Sequence, residues 1–135
     1  MNESDIPRTL AVKYARFVDD RDFERLREIM VEDFSQSGPG ILSRSLDEFI
    51  SSLAILDNYR ATFHLIGNQY GEWQNDIYVG ETWCVASHIH EEQGELRKLD
   101  MGIRYQDVIE NNGGICRYLS RDLNVVWTQD LPCQG

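Results

Sequence analysis

The side chains best suited to chemistry near neutral pH are three histidines, His64, His88 and His90. A neutral imidazole is a competent base there, because its unperturbed pKa lies close to the working pH. His64 lies in the segment Thr-x-His-x-x-Gly-Asn (Thr62 to Asn68), where a lone strand histidine is by default a satisfied core residue. His88 and His90 are two apart and share a strand face, with His90 expected in solvent at the polar strand end. Such a pair is weak support for zinc, and no metal is expected. Cys84 falls on the same face as His88, but no cysteine–histidine motif surrounds it. Arg104 and Arg121 would bind an anionic or carbonyl group if they faced a cavity; an outer-face ion pair is the alternative. Asp19 follows an amphipathic run, where a carboxylate near a helix C-terminus is unfavourable by up to about 1 kcal/mol.

The elements that must position these residues come in two blocks. Leu10, Ala11, Tyr14, Phe17 and Val18 recur at helical steps and form the buried stripe of a first helix. Asp22 is read as the cap of a short second helix carrying Phe23, Leu26, Ile29 and Met30. Residues 35–40 (SQSGPG) read as a loop. Ser45 with Glu48 forms a capping box for a third helix, whose apolar stripe is Leu46, Phe49, Ile50 and Leu53. Strands are expected over 60–69, 77–90, 99–110 and 115–127, the last two joined by the hairpin signal NNGG at 111–114. On the first strand Thr62, His64, Ile66 and Asn68 share a face. On the second, Tyr78, Gly80, Thr82, Cys84, Ala86, His88 and His90 do. Helices followed by a meander of long strands give an α+β fold, a curved, mainly antiparallel sheet closed by three helices around a pocket. At 135 residues one domain over 1–135 is expected.

In order and spacing, three segments resemble SnoaL-like proteins of the NTF2-like superfamily: residues 14–26, residues 62–68, and residues 104–127 with its closing hairpin. The resemblance implies a cone-shaped α+β barrel. It is similar in particular to the subgroup containing scytalone dehydratase, bile-acid 7α-dehydratase and hexachlorocyclohexane dehydrochlorinase. In that subgroup an Asp on the first helix–turn and a His on the first long strand act together, and the matching positions are Asp19 and His64. The bile-acid dehydratases add a Tyr five residues before the Asp, which falls on Tyr14. Scytalone dehydratase places a second His on a neighbouring strand, for which His88 is the nearest candidate. Many members carry a Trp after the hairpin turn, where this chain has Ile115, Cys116 and Arg117.

The implied chemistry is proton abstraction next to a carbonyl, with His64 as base and Asp19 fixing its tautomer and stabilising the imidazolium. Tyr14, or a protonated His88, would donate to the developing enolate or the leaving hydroxyl. Five helical residues place Tyr14 and Asp19 about 140° apart, so both reach one cavity only if the helix ends before Asp19. Arg104, Asn68, Phe49 and Arg121 are the expected substrate-binding residues. This defines a cofactor-independent lyase or isomerase acting on a hydrophobic, oxygenated molecule such as a polyketide or steroid-like compound. The alternative is a non-catalytic binding or assembly domain of the same fold; an epoxide hydrolase or cyclase would need a carboxylate pair that the sequence does not supply.

Bulk properties narrow the partners. The formal net charge of −10 and pI of about 4.6 disfavour nucleic acid and anionic membranes. Three widely spaced cysteines indicate neither a disulfide framework nor a zinc knuckle, and fit reduced thiols in the cytoplasm. Apolar strand faces predict a homo-oligomer, and the resemblance implies a trimer.

Overall fold

The computed structural model describes residues 2–135. Helix α1 spans Ile6–Asp19 with Pro7 in its first turn, and buries Leu10, Ala11, Tyr14, Phe17 and Val18 along one face. It ends in a left-handed cap at Arg21 (φ 60°), where the Asp22 N–H reaches back to the Phe17 carbonyl at 2.8 Å and the Arg21 N–H to Val18 at 3.1 Å. Glycine usually fills such a position, and a β-carbon there costs on the order of 1 kcal/mol.

The expected second helix is corrected. Residues Phe23–Glu28 form only a 3₁₀ segment, and Asp22 makes no side-chain capping bond to start a longer one. The chain is captured at Ile29, whose carbonyl accepts from the Tyr118 N–H at 2.7 Å, and strand β1 follows over Met30–Gly38. Buried Phe34 and Gln36 then alternate with less buried neighbours at the strand period, so the 35–40 segment is mostly strand rather than loop. A turn through Gly40 (φ 69°) leads into β2, Ile41–Ser43. The Ser45 cap forms as expected, the Glu48 N–H donating to Ser45 Oγ at 3.1 Å, but the Glu48 carboxylate accepts from the Arg44 N–H at 2.7 Å rather than closing the box on Ser45; helix α2 runs Leu46–Ser52. A 3₁₀ segment, Leu53–Asn58, connects it to the sheet. Among the described residues there are therefore two α-helices, not three.

Strands β3 (Ala61–Gln74), β4 (Ile77–Glu92), β5 (Glu95–Asn112) and β6 (Ile115–Pro132) form an antiparallel meander. The sheet order is β2-β1-β6-β5-β4-β3, with β1 parallel to β6. The sheet is strongly curved but does not close, so the expected barrel is an open one whose concave side is covered by α1 and α2. Curvature is accommodated where Gly71 pairs with Gly80: a β-carbon on either would collide with the Tyr78 ring. One buried apolar cluster joins α1, α2, β1, β4, β5 and β6.

One irregularity changes the chemistry of a strand. Between Ile66↔Cys84 and Gln69↔Thr82, two residues of β3 face one of β4. This bulge reverses the parity of everything beyond it. Gln69 turns inward to hydrogen-bond Thr82 Oγ1 at 3.0 Å, and Asn68 is exposed.

Candidate active site

His64 points inward from β3, and Asp19 reaches it from the last residue of α1. The carboxylate takes three donors: His64 Nδ1 at 2.7 Å and the Thr62 hydroxyl at 2.9 Å on Oδ1, and the His64 backbone N–H at 2.8 Å on Oδ2. Burial disfavours the Asp19 charge, but these bonds and the imidazole outweigh it and hold the carboxyl below its ordinary pKa. An ionised Asp19 can only accept, so Nδ1 carries a proton, and in the neutral imidazole the lone pair is on Nε2.

His64 lines a cavity of about 430 Å³ walled by Tyr14, Phe49, Tyr59, His88, Tyr105 and aliphatic side chains. That volume suits a small ring compound. Asp19 is not part of the cavity wall. The 140° between Tyr14 and Asp19 is thereby resolved although the helix runs through Asp19: the phenol faces the cavity, and the carboxylate meets the imidazole from behind.

Tyr14 is 4% exposed and meets the His64 ring edge-on, with centroids 6.1 Å apart. Burial raises its pKa, while the Arg121 charge works against that rise, so the phenol is neutral at pH 7 and can donate. Phe49, on α2, stacks on Tyr14 with centroids 6.5 Å apart and forms apolar wall. His88 is 6.4 Å from His64 between ring centroids, and its Nδ1 lies 3.2 Å from the Leu99 carbonyl. Burial lowers its pKa. The expectation of a protonated His88 donor is therefore corrected: its N–H is committed to Leu99 and its Nε2 is an acceptor. His90, expected in solvent, instead pairs with Asp130 at 3.0 Å.

Two expected binding residues face away. Arg104 lies on the outer face, ion-paired with Glu81 and packed 4.8 Å over the Trp83 ring. Asn68 joins them on that face because of the bulge. Arg121 is fully buried but absent from the cavity wall. It bonds Asp107 at 2.7 Å and lies 3.9 Å over Tyr105 and 4.7 Å over Tyr14, supporting the phenols from beneath. Burial disfavours its charge, and Asp107 more than compensates, raising its pKa. Cys84 is buried, which pushes its thiol up to about 12 and rules out a thiolate at neutral pH.

Sequence reasoning missed Gln36, Tyr59 and Tyr105. Gln36 is 5% exposed, lines the cavity and makes no side-chain hydrogen bond among the described residues. It was hidden in a segment read as loop. Tyr59, just before β3, packs its ring at a tilt against His88 with centroids 5.1 Å apart. Tyr105 was legible, since it alternates with Asp107 on one face of β5.

The chain belongs to the SnoaL-like domain family, which it matches over residues 5–122. Among solved structures it is similar to a candidate scytalone dehydratase from Novosphingobium aromaticivorans (TM-score 0.82, 19% identity, covering 95% of this chain and 87% of that one). It is also similar to the Kfla4162 protein from Kribbella flavida (TM-score 0.81, 17% identity, 90% and 88% covered). A third likeness is to the hexachlorocyclohexane dehydrochlorinase LinA-type3 from Novosphingobium barchaimii (TM-score 0.76, 16% identity, 93% and 86% covered). At these identities the likeness establishes the fold. No curated protein matches the sequence.

Proposed function

We propose that this protein is a cofactor-independent lyase or isomerase that performs a dehydratase-type elimination on a hydrophobic, oxygenated small molecule. The observation that carries this reading is the 2.7 Å contact between Asp19 and an imidazole that lines a largely apolar cavity. His64 Nε2 takes a proton from the carbon next to a carbonyl; the C–H electrons form the new double bond, and the β-C–O bond breaks. The imidazolium, steadied by Asp19, returns its proton to the departing hydroxide, which leaves as water. Tyr14 donates to the carbonyl oxygen as negative charge develops there. His88 Nε2 and the unpartnered Gln36 amide are available to hydroxyl or carbonyl groups elsewhere on the substrate. No charged side chain lines the cavity, which favours a neutral ligand of the polyketide or steroid-like kind.

The protein is further proposed to work as a homo-oligomer, a trimer by resemblance. Phe63, Leu65, Val79, Trp83, Val126 and Trp127 expose apolar surface on the outer face of the sheet. Its thiols, free among the described residues, fit the reducing cytoplasm, and no described helix is long and apolar enough to cross a membrane. The test is a panel of β-hydroxyketones on tetralone and steroid frames, followed by absorbance of the conjugated product. Turnover lost in His64→Ala supports the reading. Compounds that raise the melting temperature without being converted would assign the cavity to binding alone.

A further inference from the structure

We infer that Arg21 is a positioning residue for the Asp19–His64 pair, acting through the Thr62 hydroxyl; this rests on the reading of that pair as the base. Arg21 occupies the left-handed cap of α1, a position that favours glycine, so the turn by itself gives no reason for an arginine. Its side chain supplies one. Nη1 donates to the Val18 carbonyl at 2.9 Å and to Thr62 Oγ1 at 2.7 Å, and Nη2 donates to the Leu56 carbonyl at 3.3 Å. Those acceptors lie at the end of α1, on β3, and on the 3₁₀ segment that precedes β3. One guanidinium thus ties together the two elements that carry Asp19 and His64.

The same contact sets a direction. Thr62 has a single hydroxyl hydrogen, and its oxygen already accepts from Arg21. The hydrogen is therefore free to go to Asp19 Oδ1, 2.9 Å away. Oδ1 then receives Thr62 and His64 Nδ1 together, while Oδ2 receives the His64 backbone N–H. A carboxylate held at both oxygens cannot turn about its bond and release the imidazole. Without Arg21 the hydroxyl can rotate away, and the carboxylate loses one of its three fixed points. A lysine carries the charge but lacks the planar fork that serves separated acceptors at once.

The test needs no substrate. In protein labelled with ¹⁵N-histidine, ¹H–¹⁵N correlations read the tautomer of His64, and solvent exchange of its Nδ1 proton reads how firmly the pair is held. The variants are Arg21→Gly, which preserves the left-handed turn, Thr62→Val, which removes the hydroxyl at nearly constant shape, and Thr62→Ser, which restores it. The expected result is a wild-type signature in Thr62→Ser. In Arg21→Gly and Thr62→Val the Nε2–H tautomer should appear and exchange should quicken roughly five- to tenfold, the scale of one lost hydrogen bond. Wild-type spectra in both of those variants would overturn the proposal and leave Arg21 as a helix cap. A change in Arg21→Gly without one in Thr62→Val would overturn the route through the hydroxyl. If Arg21→Gly does not fold, the Val and Ser variants still decide that route. An Nε2–H tautomer in the wild type would instead remove the base reading, and this inference with it.

Discussion

His64 presents two donors to the single carboxylate of Asp19: its ring Nδ1 lies 2.7 Å from Oδ1 and its backbone N–H 2.8 Å from Oδ2. The ring contact fixes which nitrogen carries the proton, and the backbone contact fixes where the strand sits relative to the helix end. Tautomer and register are therefore set by the same side chain, and both are needed for Nε2 to face the cavity as a base.

Asp19→Asn separates those two effects. An amide offers one acceptor and one donor group where the carboxylate offers two acceptors. If its oxygen keeps the backbone N–H, its NH₂ faces His64 Nδ1, which must then give up its proton to Nε2. The base is lost while the packing survives. Turnover should fall by about 10²–10⁴-fold, with the melting temperature within a few degrees of wild type. Full activity in this variant, measured on any compound the wild type converts, would remove Asp19 from the mechanism.

His88 makes stability depend on pH. Burial lowers its pKa, so between that lowered value and about 6.5 the unfolded chain binds more protons than the folded one. Its neutral form thus supports the fold fully above about pH 6.5, and that support fades as pH falls toward the folded value. Urea midpoints of wild type and His88→Gln, taken from pH 8 to 5, should diverge as acid is added, with the wild type dropping faster. Parallel curves would mean that His88 keeps an ordinary affinity for protons.

The alternation on β4 was plain in the sequence, because Tyr78, Gly80, Thr82, Cys84, Ala86 and His88 follow the two-residue period and all but Gly80 are buried. The turn at 111–114 was equally legible: Gly113 and Gly114 both have positive φ, and Asn111 Oδ1 accepts from the Gly114 N–H. Residues 23–43 were not. Leu26, Ile29 and Met30 sit at helical spacing, yet they are buried as a 3₁₀ segment and a strand start, since tertiary pairing with β6 overrides the local pattern. Asn68 was lost for a different reason. Parity holds only while the ladder is regular, and one extra residue at 67–68 reverses it without any mark in composition. Arg104 could be placed by parity on the face opposite Asp107, but its partners could not be read, because Glu81 and Trp83 lie on the neighbouring strand.

Arg121 and Asp107 are 0% and 2% exposed and bonded at 2.7 Å, with Thr82 Oγ1 donating to the same carboxylate at 2.6 Å. Removing one charge strands the other away from water. Arg121→Met should destabilise the protein by about 3–5 kcal/mol, read from denaturant midpoints at constant slope. The double variant Arg121→Met with Asp107→Leu should recover part of that loss, because it removes the stranded carboxylate. Equal losses in the single and double variants would show that the arginine contributes through its packing over Tyr14, Tyr105 and Tyr118 instead.

The outer face of the sheet should hold the assembly together. Leu65 and Val126 are 61% and 56% exposed, far more apolar surface than a strand facing bulk water needs to carry. A charge placed there costs the isolated chain almost nothing, since the side chain remains in solvent. Buried in an interface without a partner, the same charge costs several kcal/mol. Leu65→Glu with Val126→Lys should therefore shift sedimentation equilibrium from an oligomer to a monomer, while far-ultraviolet circular dichroism stays unchanged. A wild type that already sediments as a monomer at tens of micromolar would refute the oligomer. An oligomer that persists in the double variant would move its interface to another surface of the fold.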